Sequence, residues 1–177
     1  MRKIVYYVAT SLDGYISGPE DDISMFAQRG NGVDQYLSDL QHFDTVIMGR
    51  KTYEFGYNFG MKPGDAPYGN MQHYLFSSSL ELPEANENIH ICPMDVDMVH
   101  QLKSKEGTDI YLCGGGAFAG WLLDHELIDV LKIKLNPIIL GEGVPLFGES
   151  KKAHRLELTQ TQLYEEGLQI MTYNVKY

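Results

Sequence analysis

The sequence predicts an α/β protein with a mostly parallel central sheet, helices on both faces and an antiparallel hairpin at the C-terminal end. Three observations lead there. Short apolar runs alternate with segments of helical period up to Leu140, as strands joined by crossover helices do. Arg155–Leu163 and Leu168–Val175 both read as strands, and the Glu165-Glu166-Gly167 turn between them makes a hairpin. Several apolar runs end directly in glycine, where a chain turns sharply from strand into helix.

The elements follow in order. Lys3–Ala9 is apolar and rich in β-branched and aromatic residues, so it is the first strand. Val33, Tyr36, Leu37 and Leu40 recur at helical spacing and predict a helix over Val33–His42 with one apolar face. Thr45–Met48 is a buried strand, and a short helix starts near Arg50. Asn58 to Gln72, with three glycines and two prolines, reads as a surface loop. Strands His73–Phe76 and Ile89–Cys92 come next, then a helix carrying Val96, Val99 and Leu102. Strand Asp109–Cys113 runs through glycines into helix Ala117–Leu127, which has Trp121 and Leu122 to bury. A long apolar strand is expected over Val130–Leu140 before the hairpin.

Composition bounds the function. The 177 residues fit one domain, expected over 1–177, at about 100–200 residues per domain. Hydrophobic residues at 44% and charged residues at 21% are ordinary for a packed globule. With 14 Lys+Arg against 24 Asp+Glu, the formal charge of −10 argues against nucleic acid or an anionic membrane as partner. No apolar run reaches the roughly 18 residues of a membrane span, and the N-terminal run is too short for a signal peptide. A cytoplasmic protein is expected. Cys92 and Cys113 lie in apolar runs and read as buried reduced thiols. The six histidines form no metal-binding spacing, and no Gly-x-Ser-x-Gly elbow occurs, so neither a metal nor a nucleophilic serine is expected.

Four segments carry possible chemistry. Ile110 to Cys113 runs into Gly114-Gly115-Gly116 and then a helix; a helix start offers free N–H groups and partial positive charge to a phosphate. Val46-Ile47-Met48 runs into Gly49-Arg50-Lys51-Thr52, a guanidinium, an ammonium and a hydroxyl suited to one anion. Cations are disfavoured at a helix N-terminus unless an anion compensates them. Leu75-Phe76 ends in Ser77-Ser78-Ser79. One extended phosphate-bearing ligand across these three strand ends, a dinucleotide, accounts for all of them. The fourth segment, Ser11-Leu12-Asp13-Gly14-Tyr15, leaves the first strand as a turn followed by a loop placed to cover a substrate.

These pieces resemble the dihydrofolate-reductase-like fold, in particular the C-terminal reductase domain of riboflavin-biosynthesis enzymes. Ser11-Leu12-Asp13-Gly14-Tyr15-Ile16, Val46 through Glu54, Ser77-Ser78 and Cys113 through Gly116 stand in that family's order and spacing over nearly the whole chain. The resemblance implies hydride transfer from NADPH to a small-molecule substrate. It implies Gly114, Gly115 and Gly116 at the pyrophosphate; Gly49, Arg50, Lys51, Thr52, Ser77 and Ser78 at the adenosine-side phosphates; and Ala9 and Cys113 facing the nicotinamide. Cations and hydroxyls suit the 2′-phosphate of NADP better than the free ribose of NAD. On the substrate side it implies Asp13, Tyr15, Phe26 and Asp34, with Asp13 or Asp34 as candidate proton donors.

The chain departs from both reductase types. Asp34 is one residue from the position of the folate-type carboxylate and also reads as a first-turn helical Asp. Tyr15 stands where riboflavin-type reductases carry a basic residue, and Cys113 where they usually carry Glu. Two other functions remain open. A dehydrogenase would read Gly114–Ala119 as a Rossmann fingerprint, but that motif normally opens the first βαβ unit and here lies late. A nucleotide-binding module on the same fold, without turnover, is the second. A homodimer is a further expectation.

Overall fold

The computed structural model describes residues 1–177. Ten strands and four α-helices follow one another as β1 (Ile4–Thr10), β2 (Tyr15–Ser17), α1 (Asn31–Leu40), β3 (Thr45–Gly49), α2 (Arg50–Phe55), β4 (Gln72–Phe76), β5 (Ile89–Cys92), α3 (Val96–Ser104), β6 (Ile110–Gly114), α4 (Gly116–Asp124), β7 (Val130–Leu135), β8 (Val144–Pro145), β9 (Arg155–Leu163) and β10 (Gln169–Lys176). Eight strands form one sheet in the order β5-β4-β3-β6-β1-β7-β10-β9. The first six are parallel, and β10 and β9 close it antiparallel. The architecture is the expected one.

Alternation along each strand sends side chains to two cores. On one face Ile4, Tyr6, Ile110 and Leu112 pack with α3 and α4 through Val99, Leu102, Phe118 and Leu122. On the other, Val5, Tyr7, Val46, Met48 and Tyr111 pack with Leu40 of α1 and Tyr53 of α2. Both faces are therefore helix-covered, which explains strands that read as continuous apolar runs.

Two features position the site. β1 pairs with β6 only as far as Tyr6↔Leu112, whereas its pairing with β7 runs on to Thr10↔Leu135. β6 meanwhile follows β3, with a register shift between Ile47 and Met48 that brings Met48 opposite Gly114. The sheet thus parts between β1 and β6 at its carboxyl edge. Second, β2 and β8 form a small antiparallel pair beside that edge.

One strand is shorter than the sequence suggested. β7 stops at Leu135, not Leu140, because Asn136 is buried and turns its amide back onto the carbonyls of Lys134 (3.1 Å) and Thr10 (3.4 Å). Pro137 follows and has no N–H to continue a ladder.

Candidate active site

β3, β4 and β6 lie side by side and end at the same edge, which brings the glycine, cation and serine segments together. The first turns of α2 and α4 open there, each after a glycine and neither with a side-chain cap. Gly114 adopts φ +135°, a conformation natural only to glycine, and the Gly114–Gly115 peptide is cis. A Cβ on Gly115 would stand 2.8 Å from the Thr52 hydroxyl, so the two predicted phosphate segments are in contact. In α4 the first bond inside the helix is from Ala119 N–H to the Gly115 carbonyl at 2.8 Å, leaving the preceding N–H groups at the edge.

Arg50 donates Nε–H to Glu54 at 2.7 Å and an Nη1–H to Ser79 at 3.0 Å, so its guanidinium spans from α2 to the loop after β4. Lys51 is exposed and takes part in no ion pair. The Ser77 hydroxyl accepts from the N–H groups of Ser79 (3.1 Å) and Leu80 (3.0 Å), which shapes that loop, and Ser78 is exposed beside it.

Ala9 and Cys113 stand on opposite banks of the split, both partly exposed and both on the α1 face. Behind Cys113 lie aromatic hydroxyls: Tyr68 OH is 3.5 Å from its sulfur, and Tyr36 OH is 2.6 Å from Tyr111 OH. Burial pushes the Cys113 thiol up, as it does the three phenols, so this wall stays neutral.

The substrate-side expectations fare differently. Asp13 is exposed and its carboxylate accepts from the N–H groups of Leu140 (3.1 Å) and Gly141 (2.7 Å). The Ser11 hydroxyl and these amides lower it to about 2, so near neutrality it is an anion held against that loop. Asp34 is exposed in the first turn of α1 and its side chain bonds to nothing, as a first-turn Asp does. Tyr15 is half-buried in β2, and Phe26 is buried ahead of α1. The segment from Ser11 to Ser17 is strapped down: Leu12 N–H reaches the Ile138 carbonyl (2.8 Å), Tyr15 N–H the Ser11 hydroxyl (3.0 Å), and Leu146 N–H the Gly14 carbonyl (3.0 Å).

The sequence reading gives β7 as a strand but names no site residue on it. Lys132 and Lys134 point from it toward α1, where Lys132 donates to Asp39 at 2.6 Å and Tyr7 OH joins the same carboxylate at 3.0 Å. Two cations at alternate positions of an apolar strand were the available signal. Beyond β7, a cleft of about 380 Å³ lies between the start of α1, Asn136–Ile138 and the turn before β10.

The chain is similar to several known proteins. The uncharacterized protein YwjB of Bacillus subtilis (strain 168) is 30% identical over 173 residues, 96% of each chain. A Shewanella sp. PV-4 protein provisionally named for riboflavin biosynthesis superposes over 100% of both chains with TM-score 0.82 and 27% identity. The dihydrofolate reductase of Enterococcus faecalis, solved with NADP(H) and RAB-propyl, superposes over 99% of this chain and 97% of its own with TM-score 0.67 and 17% identity, a likeness of fold. The pattern of the RibD C-terminal domain matches residues 2–170. With that match over nearly its full length and a reductase-like fold around a split sheet edge, this chain belongs to the RibD C-terminal domain family.

Proposed function

We propose that this protein is an NADPH-dependent reductase, transferring hydride to a C=N or C=O bond of a small heterocycle of the dihydrofolate or ribosylamino-pyrimidine kind. The observation that carries this is the contact between Thr52 and Gly115, which joins a cationic segment and a glycine-started helix into one anion-receiving edge. The residues fit the cofactor. Uncapped N–H groups at Gly115–Phe118 suit a pyrophosphate, and Arg50, Lys51, Thr52, Ser77 and Ser78 suit the adenosine-side phosphates. Ala9 and Cys113, neutral and on either bank of the split, suit the two edges of a nicotinamide. When bound, the reduced nicotinamide supplies the hydride.

The chain's own work is then positioning and exclusion of water. Lys51 is free for the 2′-phosphate, and Arg50 can release Glu54 to join it. The test compares NADPH and NADH binding to wild type and Arg50→Ala. NADPH affinity is expected to fall about 10- to 100-fold, the worth of a charge-assisted hydrogen bond, with NADH little changed. An equal loss for both nucleotides would remove the 2′-phosphate assignment.

A second reading is favoured by one observation: neither Asp13 nor Asp34 is poised to give a proton. It is a nucleotide-binding module without turnover. Tight NADPH binding with no oxidation across a panel of pterins and pyrimidines supports that reading over the first.

A further inference from the structure

Among the polar side-chain atoms buried without a hydrogen-bond partner is Nδ1 of His73, in β4. The residue is 0% exposed. Its other ring nitrogen, Nε2, lies 3.1 Å from the backbone N–H of Tyr68 and accepts from it. A nitrogen that accepts carries no proton, so the single ring proton sits on Nδ1, where nothing receives it. A buried donor left unpaired is costly, and one that a fold retains calls for a reason.

Tyr68 supplies that reason, because it reaches from His73 to the split. It lies near the end of the loop over residues 60–71, and its ring stacks on the imidazole with centroids 5.9 Å apart and 16° between planes. The same ring meets Tyr111 of β6 edge-on at 5.7 Å, and its hydroxyl arrives 3.5 Å from the Cys113 sulfur. One tyrosine thus joins His73, at its backbone N–H, to Cys113, at its hydroxyl. Upstream, the loop is tied through Tyr53, whose hydroxyl accepts from Gly64 N–H at 2.9 Å and donates to the Asp65 carbonyl at 3.0 Å.

The arrangement holds only while His73 is neutral. An imidazolium donates from both nitrogens, so Nε2–H would face the Tyr68 N–H, donor against donor. Nothing around the ring compensates a charge. β3 and β5 place Val46 and Ile89 beside it, and His90 of β5 opposes a second positive charge. Burial keeps the phenols of Tyr36, Tyr53, Tyr68 and Tyr111 neutral. The carboxylates of the surrounding elements are engaged elsewhere: Asp39 of α1 with Lys132, Asp44 with Arg2, Glu54 of α2 with Arg50, and Asp65 with the Lys62 N–H. Burial pushes the His73 pKa down, further than the Asn88 and Met71 carbonyls pull it up.

We propose that neutral His73 is a latch that positions Tyr68 against Cys113 on the nicotinamide bank of the split, and that its protonation frees the Tyr68 end of the loop and weakens NADPH binding. His73 is a positioning residue, acting through Tyr68 without touching the nucleotide. The NADPH clause rests on the reductase reading; the latch itself does not. Because the folded value lies below the ordinary one, the latch is complete above about pH 6.5 and is lost as pH falls through the folded value.

The first measurement needs only the wild-type full-length chain. An NMR titration from about pH 8 to about pH 5, either side of the ordinary histidine value, follows the His73 ring and amide exchange at Tyr68 together. Leu75 of β4 is the internal reference for the pH dependence of exchange itself. His73 should titrate below about 6.5, and Tyr68 exchange should rise about tenfold relative to Leu75 as it does, the worth of one hydrogen bond. His73→Gln offers an acceptor that does not titrate, so there the ratio of Tyr68 to Leu75 should stay the same at both ends of the range. His73→Phe keeps the stack but offers no acceptor, and Tyr68 should exchange fast throughout. NADPH is then titrated by calorimetry at both ends of the range. On acidification the affinity of wild type should fall about tenfold further than that of His73→Gln. The nucleotide's own 2′-phosphate titrates in both and cancels. Titration of His73 at or above about 6.5, Tyr68 exchange unchanged over the whole range, or an equal pH dependence at Tyr68 in wild type and His73→Gln would each overturn the latch. An equal acid loss of NADPH affinity in the two proteins, with Tyr68 still following His73, would overturn its part in cofactor binding. If wild type binds no NADPH at all, the reductase reading falls, and the Tyr68 amide alone decides the latch.

Discussion

Asp13 shows how a residue in a recognisable motif takes its role from its neighbours. Its side chain is exposed, yet the Ser11 hydroxyl and the amides of Gly141 and Leu140 hold its carboxyl at about 2. The free side chain titrates near 3.9, about two units higher. Because the folded value is the lower one, its contribution to stability is complete above about pH 4 and disappears as pH falls through about 2. A carboxyl-carbon NMR titration should therefore show a midpoint of about 2 for Asp13. Asp13→Asn should speed amide exchange at Leu140 and Gly141 several-fold, since a neutral acceptor holds N–H groups less strongly than a carboxylate. A midpoint near 3.9 would mean that the loop is not held by this residue. Lys132 and Lys134 make the complementary point. In sequence they vanish into an apolar strand, because the acid that distinguishes them, Asp39, is 93 positions from Lys132 along the chain.

At the level of elements, α4 is fixed by glycine where it meets the β8 segment. A Cβ on Gly116 would collide with the Pro145 carbonyl oxygen, backbone that has no rotamer to yield. Gly116→Ala should cost about 1–3 kcal/mol, as overpacking does, and lower the melting temperature by about 2–12 °C for a chain of this size. Gly69, with nothing within 4 Å of its Cβ position and no positive φ, is the control, and Gly69→Ala should change stability by less than about 0.5 kcal/mol. Differential scanning calorimetry of the two variants decides it. The long elements were legible in the sequence because a period of two or 3.6 residues is a local property. β5 and β9 fall at the bounds read from sequence. β2 and β8, three and two residues long, were not legible, since nothing that short carries a period and they exist only by pairing with each other. The proposed anion-receiving edge was readable for the same reason as the long strands: its glycines, cations and hydroxyls sit in short runs directly at the ends of β3, β4 and β6. The Lys132–Asp39 pair joins β7 to α1, and no local pattern connects the two.

Across the whole molecule the carboxyl edge is shared by two half-sheets that part company beyond Tyr6 and Leu112. β5, β4, β3 and β6 lie on one side of the parting; β1, β7, β10 and β9 lie on the other. A dinucleotide with phosphates on the first half and its nicotinamide across the gap would tie the halves together, although the protein as a whole carries charge −10. Local cations at Arg50 and Lys51 must then outweigh the overall repulsion, which acts at distances that salt screens to about 8 Å. At a hundredfold excess over its Kd, NADPH should add about 2.7 kcal/mol of stability. For a chain of this size that raises the melting temperature by about 5–11 °C. Hydrogen exchange should locate the gain. Amides of Gly49–Thr52, Ser77–Ser78 and Gly114–Phe118 should be protected, and so should the end of β1 around Ala9. β9, exposed along its whole length at the far edge, should exchange as before. Protection at β9 or α3 in place of these segments would put the nucleotide on another surface, and with it the roles assigned to Arg50, the glycines and the split would fail together.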